Sequence, residues 1–203
     1  FDFSGDYNNQ EKAAFRLVIT QVAYAVTLQK HNGHFILKIF DMFEKSTREL
    51  IYLLSCLYEY VFISKPFTSR YANSEKYIVC KNFKYTNTDE LSNKFINILK
   101  FFESFDFDKY EVTSIINIPV QSYYSNQLKE INAILGHQQI DNILNTIKII
   151  THKDRKNDKI QSLKSSNIQK CITWCINNKM PYNKTYQSNN IFLGERTKNF
   201  KTL

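Results

Sequence analysis

The chain has 203 residues, of which 43% are hydrophobic and 15% aromatic, a composition that excludes wholesale disorder. Its formal charge of +8 favours a polyanionic partner such as RNA, DNA or an anionic membrane, with a solvated basic surface as the open alternative. Four cysteines without a disulfide framework predict reduced thiols in an intracellular compartment, and no segment is long and apolar enough to predict a membrane span.

The first clear pattern is an amphipathic helix over residues 11–30, where apolar side chains recur at helical spacing. His31-Asn32-Gly33 ends this helix, because Asn and Gly readily adopt the left-handed conformation of a helix cap. The run 34–40 is apolar on both faces apart from Lys38, which is typical of a buried parallel strand.

A second helix and two further strands come next. Ser46 or Thr47 can cap this helix, and Glu49 stands three residues after Ser46, as in a capping box. Strands are predicted at 60–64 and 75–81. A helix joins the first two strands, so they should be parallel. The short loop before the third strand predicts a reversed, antiparallel strand at the rim of a parallel sheet.

The rest of the chain has a mainly helical and basic pattern. Amphipathic helices are predicted at 88–105 and 122–150, and a short helix at 166–178. Residues 148–170 carry seven Lys or Arg against two Asp and few apolar side chains, which predicts a basic loop or linker. The polar end, 183–203, is expected to be extended.

Lys38 is the one charged residue of its strand, and a buried strand seldom carries a lysine that has neither a partner nor a function. Glu75 stands at the amino end of an antiparallel strand, so it lies at the same sheet edge as the carboxyl end of the Lys38 strand. Ligands of open α/β sheets bind at that edge. We predict that Lys38 and Glu75 face each other across a catalytic cleft, the alternative being an isolated buried ion pair.

Two segments carry a family resemblance, GHFILKIFDMF at 33–43 and VFISKPFTSRYANSEKYIVCKNF at 61–83. They resemble the FtsJ-like RNA 2′-O-ribose methyltransferases, in particular the mRNA cap-1 branch of eukaryotes and large DNA viruses. That branch has a Gly-Gly-His-Phe-φ-φ-Lys strand and a Lys-Pro-x-(Thr/Ser)-Ser-Arg-Pro-x-Asn-Ser-Glu-x-Tyr segment, and the spacing here agrees. One departure is Tyr71, where the family has Pro.

The resemblance implies an α/β fold over residues 1–83, the C-terminal half of a class I, Rossmann-like methyltransferase sheet with one antiparallel strand. Residues 84–203 then form a helical, basic C-terminal extension. The family uses a Lys-Asp-Lys-Glu tetrad, in which Lys38 matches the second lysine and Glu75 the glutamate.

Other parts of the family pattern fall outside this chain. Phe1-Asp2-Phe3-Ser4 resembles the residues just after the turn that carries the tetrad aspartate, so Asp2 is not that aspartate. The first lysine and the glycine-rich loop for S-adenosylmethionine lie upstream in the family, and the four scattered glycines here form no such loop. We expect the chain to be the C-terminal part of a longer protein and to be inactive alone.

In the chemistry that the resemblance implies, Lys38 takes the proton of a ribose 2′-hydroxyl and Glu75 orients the reacting groups. A lysine acts as a base only when its amine is partly neutral, which burial and a neighbouring cation favour. Arginine suits a phosphate, whereas Asn and Ser suit ribose or base, although a local turn or cap role stays open for each. The residues predicted to contact RNA are Ser69, Arg70, Asn73 and Ser74.

The implied reaction is cap-0 to cap-1 methylation of the first transcribed nucleotide of capped mRNA. Ribosomal or transfer RNA is an alternative substrate, and a non-catalytic RNA-binding module of the same fold is an alternative function that the basic segment 148–170 fits. A capping enzyme or polymerase is a family-level possibility as partner, and no membrane partner is expected. The location would be the cytoplasm, in a virus factory or virion, for a viral protein and the nucleus for a cellular one.

No metal site is predicted. Cys171 and Cys175 stand four residues apart on a predicted helix, but two thiols without a nearby His pair are a weak zinc pattern. Asp41 and Glu44 follow the Lys38 strand closely enough to border the cleft, and we interpret them as surface or cap residues.

Overall fold

The computed structural model describes residues 8–67, 69–107, 109–151 and 157–182. They fall into two compact units, divided between residues 152 and 153. In the ranges described, the first unit contains four helices and three strands, and the second contains one helix. The elements are α1 (Gln10–Leu28), β1 (Phe35–Ile39), α2 (Lys45–Leu57), β2 (Tyr58–Ser64), β3 (Lys76–Phe83), α3 (Asp89–Ser104), α4 (Ser122–Thr151) and α5 (Asn157–Asn177).

The three predicted strands are confirmed, and they form one sheet in the order β1-β3-β2. Strand β3 is antiparallel to both neighbours, so β1 and β2 run in the same direction, as predicted. The predicted place of the reversed strand is wrong, because β3 lies between the other two and not at the rim. Burial agrees with the central place of β3: on the covered face Ile78 and Cys80 are fully buried, whereas their partners Ile63 and Val61 on β2 are only partly buried.

Among the described residues, helices cover one face of the sheet and leave the other open. On β1, Leu37 and Ile39 are buried, whereas Ile36 is 63% exposed and Lys38 also lies on the open face. The prediction that β1 is buried on both faces is therefore wrong, because successive side chains of a strand point to opposite faces and α1 and α2 pack on one of them. The buried face joins α1, α2, α3 and the start of α4 in one core that includes Val22, Leu54, Phe83, Phe95 and Leu128.

The sequence predicts the ends of the first two helices poorly. Helix α1 ends at Leu28 with an extended Gln29 as its C-cap, so the predicted left-handed cap at 31–33 is wrong, although Asn32 has a left-handed φ of 62° in the turn that follows. The capping box at α2 is wrong, because the helix begins at Lys45 and Ser46 lies inside its first turn. The Glu49 carboxylate instead accepts hydrogen bonds from the N–H groups of Ile115 and Ile116, at 2.7 and 3.3 Å.

The helices after the sheet agree with the predictions except for the last one, which is longer than predicted. Helices α3 and α4 agree with the predictions at 88–105 and 122–150. The loop predicted at 148–170 is wrong, because 148–151 end α4 and α5 already begins at Asn157. Lys and Gln favour a helix without adding an apolar pattern, so the scarcity of apolar residues did not mean a loop here. The predictions for Phe1–Ser4 and for 183–203 fall outside the described residues.

Candidate active site

The strand register brings the two predicted catalytic residues together. Lys38 of β1 lies opposite Tyr77 of β3, and Glu75 directly precedes β3. Lys38 Nζ lies 2.8 Å from Glu75 Oε2, so the predicted pair exists. It is not a buried ion pair, because the Lys38 side chain is 48% exposed and that of Glu75 23%. The pair therefore lies where a large ligand can reach it from the open face of the sheet.

Hydrogen bonds keep the Glu75 carboxyl ionised. The hydrogen bond from Lys38 lowers the pKa of Glu75 below its usual value, against the opposing effect of partial burial. The Tyr77 hydroxyl donates to Glu75 Oε1 at 2.9 Å and lowers the pKa further. The same contact raises the pKa of the Tyr77 hydroxyl, which thus stays a donor at neutral pH. Glu75 is consequently an oriented carboxylate with one oxygen on Lys38 and the other on Tyr77.

A second lysine that sequence reasoning missed holds the loop in front of β3. Lys65, the first residue after β2, donates through Nζ to the backbone oxygens of Asn73 and Glu75, at 2.9 and 2.8 Å. It also donates to the side-chain oxygen of Asn73. Burial, followed by the nearby charge of Lys76, lowers the pKa of Lys65. The Lys-Pro pair of the family motif marked this position, but nothing in the pattern indicated the contacts of the lysine.

Lys76 is the buried lysine of the site. Its side chain is 6% exposed, and Nζ binds Asp41 Oδ1 at 3.0 Å. The same atom donates to the backbone oxygens of Phe40 and Ser74, at 3.0 and 2.9 Å. Asp41 is therefore a half-buried ion-pair partner of Lys76 and not a plain surface residue, while Glu44 directly precedes α2 as its N-cap residue. The two-residue period of strand β3 is the signal that could have predicted an inward-facing Lys76, since Lys76 shares the face of Ile78 and Cys80.

The predicted RNA-contacting residues occupy different environments. Arg70 is exposed, whereas Ser74 is buried. The hydroxyl of Ser69 is buried and has no hydrogen-bond partner within the described residues. The side-chain oxygen of Asn73 is taken by Lys65. Of the four, Arg70 alone is charged, and its exposed side chain can reach a phosphate.

The cysteines do not form a common reactive or metal-binding site within the described residues. Burial raises the pKa of Cys80 to about 12, which makes this thiol unreactive at neutral pH. Cys171 and Cys175 lie on α5. The described residues contain no group of three or more His, Cys, Asp or Glu side chains that could hold a metal ion. None of the described helices is long and apolar enough to cross a bilayer.

Comparison with known families matches the sheet segment. Residues 1–83 match the model of the family described as FtsJ-like methyltransferase. This segment belongs to that family. The FtsJ-like segment therefore contains α1, the whole three-stranded antiparallel sheet and α2, together with Lys38 and Glu75.

Named relatives match the FtsJ-like segment and part of the helical region after it. The cap-specific mRNA (nucleoside-2′-O-)-methyltransferase 1 of Homo sapiens is 44% identical over 84 residues, which are 41% of this chain and 10% of that protein. The Xenopus laevis protein of the same name is 35% identical over 120 residues, 59% of this chain and 14% of the relative. The 1A protein of Caenorhabditis briggsae is 33% identical over 145 residues, 68% of this chain and 16% of the relative.

The chain thus spans between 10% and 16% of the length of these relatives. An alignment that covers 68% of this chain necessarily includes residues beyond the FtsJ-like segment. Part of the chain beyond Phe83 therefore aligns with at least one relative. The boundary after Phe83 stays a prediction, since α3 and Leu128 of α4 share the core of the sheet.

Proposed function

We propose that this chain is part of an RNA ribose 2′-O-methyltransferase that acts on the first transcribed nucleotide of capped mRNA. The observation that carries the proposal is the 2.8 Å contact between Lys38 and Glu75 at an accessible sheet edge. The names of the relatives, all cap-specific mRNA methyltransferases, support the substrate. The formal charge of +8 is consistent with a polyanionic substrate. The class I, Rossmann-like architecture and the Lys-Asp-Lys-Glu tetrad belong to the same proposal.

In this proposal Lys38 is the general base. A ribose 2′-hydroxyl is a weak nucleophile, so it must lose its proton as it attacks. The amine of Lys38 accepts that proton, and it must first have lost its own. Glu75, held ionised by Lys38 and Tyr77, orients the amine and the hydroxyl. Such alignment of the reacting groups supplies much of the rate acceleration in two-substrate reactions.

S-adenosylmethionine, when bound, supplies an electrophilic methyl group. The two glycines in the described ranges do not fit a cradle for this cofactor. At Gly33, in the loop between α1 and β1, an added Cβ would lie 2.8 Å from the Lys30 carbonyl oxygen, and at Gly136, within α4, it would point into open space. We therefore assign the cofactor site to none of the described residues and confine the roles to the acceptor side.

The RNA would lie along the loop between β2 and β3. We propose that Arg70, which is exposed, binds a phosphate. Ser69, Asn73 and Ser74 stay candidates for contacts with ribose or base, and the hydroxyl of Ser69 has hydrogen-bonding capacity to offer. A nuclear or cytoplasmic location, and a partner such as a capping enzyme, would follow from a role on mRNA.

The test is methyl transfer from labelled S-adenosylmethionine to cap-0 RNA by the full-length protein that contains this chain. We expect label at the first ribose, none on uncapped RNA, and a loss of about 10²- to 10⁴-fold in Lys38→Ala. Lys38→Arg should be equally inactive, because arginine keeps the charge but cannot act as a base. Lys94→Ala is the matched control, since it removes another lysine that pairs with a glutamate, at 2.6 Å, on the surface of α3.

The possible outcomes separate the candidate functions. Methylation of uncapped RNA to the same extent as capped RNA would favour ribosomal or transfer RNA as the substrate. Full activity of a folded Lys38→Ala protein would exclude Lys38 as the base. RNA binding without any label would favour a non-catalytic RNA-binding module.

A further inference from the structure

Glu75 lies outside the hydrogen-bond ladder of the sheet. The pairing of β1 with β3 reaches only to Ile39 and Lys76, and β2 pairs with β3 from Ser64 and Tyr77 onward. A carboxylate that orients a reacting group needs a fixed backbone, because a misplacement of about 1 Å can cost about 10²-fold in rate. Contacts other than the ladder must therefore fix the backbone of Glu75.

Two ammonium groups bind the three consecutive carbonyls that lead into β3. Lys65 Nζ donates to the oxygens of Asn73 and Glu75, at 2.9 and 2.8 Å. Lys76 Nζ donates to the oxygen between them, that of Ser74, at 2.9 Å. Each carbonyl of residues 73–75 is thus held by a charged donor, and such charge-assisted hydrogen bonds are stronger than neutral ones.

The same two lysines connect these carbonyls to the ends of the neighbouring strands. Lys65 directly follows β2. Lys76 also donates to the Phe40 oxygen and pairs with Asp41, two and three residues after Lys38. The backbone of Glu75 is therefore fixed relative to the strand that carries Lys38.

The burial of these two lysines costs free energy, which their hydrogen bonds must offset. The Lys76 side chain is 6% exposed, and an ammonium is removed from water at a large cost in free energy that only full pairing offsets. Lys65 is half-buried, with its charge turned toward backbone oxygens. Neither lysine has the form of a solvated surface charge.

We infer that Lys65 and Lys76 are positioning residues that hold Glu75 at bonding distance from Lys38. This inference rests on the proposed methyl-transfer function. Neither lysine touches the reacting atoms, so both act through Glu75. Their removal should lower the turnover rate and leave RNA binding nearly unchanged.

The test is steady-state methyl transfer to cap-0 RNA by full-length variants. We expect Lys65→Met to lower kcat by about 10- to 10²-fold. The KM for RNA should stay within about threefold, because Lys65 binds backbone oxygens and not the ligand. The matched control is Lys84→Met, since Lys84 also donates to two carbonyls, those of Ser55 and Cys56, but follows β3 at the opposite end of the sheet. This control should keep both constants.

Lys76→Met should show the same loss of kcat, with a melting curve recorded to establish that it folds. If it does not fold, Lys65→Met alone decides the question. Wild-type kcat in Lys65→Met, next to an inactive Lys38→Ala, would overturn the positioning role and leave the proposed function intact. A raised KM with unchanged kcat would also overturn it, since Lys65 would then contact RNA. Full activity of Lys38→Ala would remove the proposed function and this inference together.

Discussion

Helices α2 and α4 belong to the same compact unit but differ in what they bury. Seven of the 13 residues of α2 are buried, including the charged Glu49, whereas Leu128 is the single buried residue among the 30 of α4. Along α4 large apolar side chains such as Ile140 and Ile147 are more than half exposed. The sheet and α2 thus form an interior in which charges have specific partners, whereas most of α4 is surface. Substitutions in the two regions should therefore have unequal effects.

The largest difference is expected for buried charge. Lys76→Met removes a buried ammonium and leaves the half-buried Asp41 carboxylate and two backbone carbonyls without their donor, which together should cost about 3–5 kcal/mol of unfolding free energy. Lys129→Met, on the exposed surface of α4, should change stability by less than about 0.5 kcal/mol. Urea unfolding of both variants measures the difference. Equal effects would contradict the division into interior and surface.

Apolar side chains should show the next largest difference. Leu54→Ala removes a fully buried side chain from α2 and should cost about 2–5 kcal/mol, because the cavity it leaves can only partly collapse. Ile147→Ala on α4 removes a side chain that is 53% exposed and should cost no more than about 0.5 kcal/mol. Thermal melting of the two variants provides the comparison. A large loss in the α4 variant would mean that another surface covers Ile147 in solution.

The Glu49 carboxylate sharpens the comparison through its pH dependence. Burial acts to raise its pKa, but hydrogen bonds from Ile115 and Ser114 prevail and lower it. A carboxyl with a lowered pKa in the folded state contributes stability above its ordinary pKa and loses it as the pH falls through the folded value. Glu49→Gln should therefore cost about 1–3 kcal/mol at pH 7 and progressively less below about pH 4.5. Denaturant titrations at several pH values measure this, and a pH-independent cost would refute the assignment.

The smallest effect is expected at Tyr77. Tyr77→Phe removes the donor to Glu75 Oε1 and should cost about 1 kcal/mol of stability. The pKa of Glu75 should rise slightly, because one of the hydrogen bonds that lower it is lost. Methyl transfer should fall by no more than about tenfold, since the contact with Lys38 stays. A loss as large as that of Lys38→Ala would indicate that Tyr77 itself acts in the reaction.

Much of the fold near the site could be predicted from the sequence. Apolar periodicity predicted α1 and the three strands, and the long motif ending at Tyr77 predicted that Lys38 and Glu75 meet. These predictions succeeded because the relevant information is local: a period of 3.6 or 2 residues, and a spacing within one segment. The strand order could not be predicted in this way, because it depends on pairing between segments that are far apart in the sequence.

The missed residues depended on distant partners. Glu49 was expected to cap its own helix, yet Ser114, 65 positions later, provides a donor that no local pattern contains. The contacts of Lys65 and Lys76 likewise depend on how the loop before β3 folds back on the ends of β1 and β2. A charged residue at an inward position of a strand is detectable from sequence only once the register is known.

The open edge of β1 has a consequence for the handling of the isolated chain. In the part of the chain that the structure describes, β1 pairs with β3 alone, so one row of its backbone groups has no strand partner. Ile36 at this edge is 63% exposed, and Phe62 on β2, the strand at the other edge, is half exposed. An unpaired edge beside apolar side chains is a template for another strand. The chain on its own should therefore self-associate as its concentration rises, and a charged residue in place of Ile36 should reduce this association.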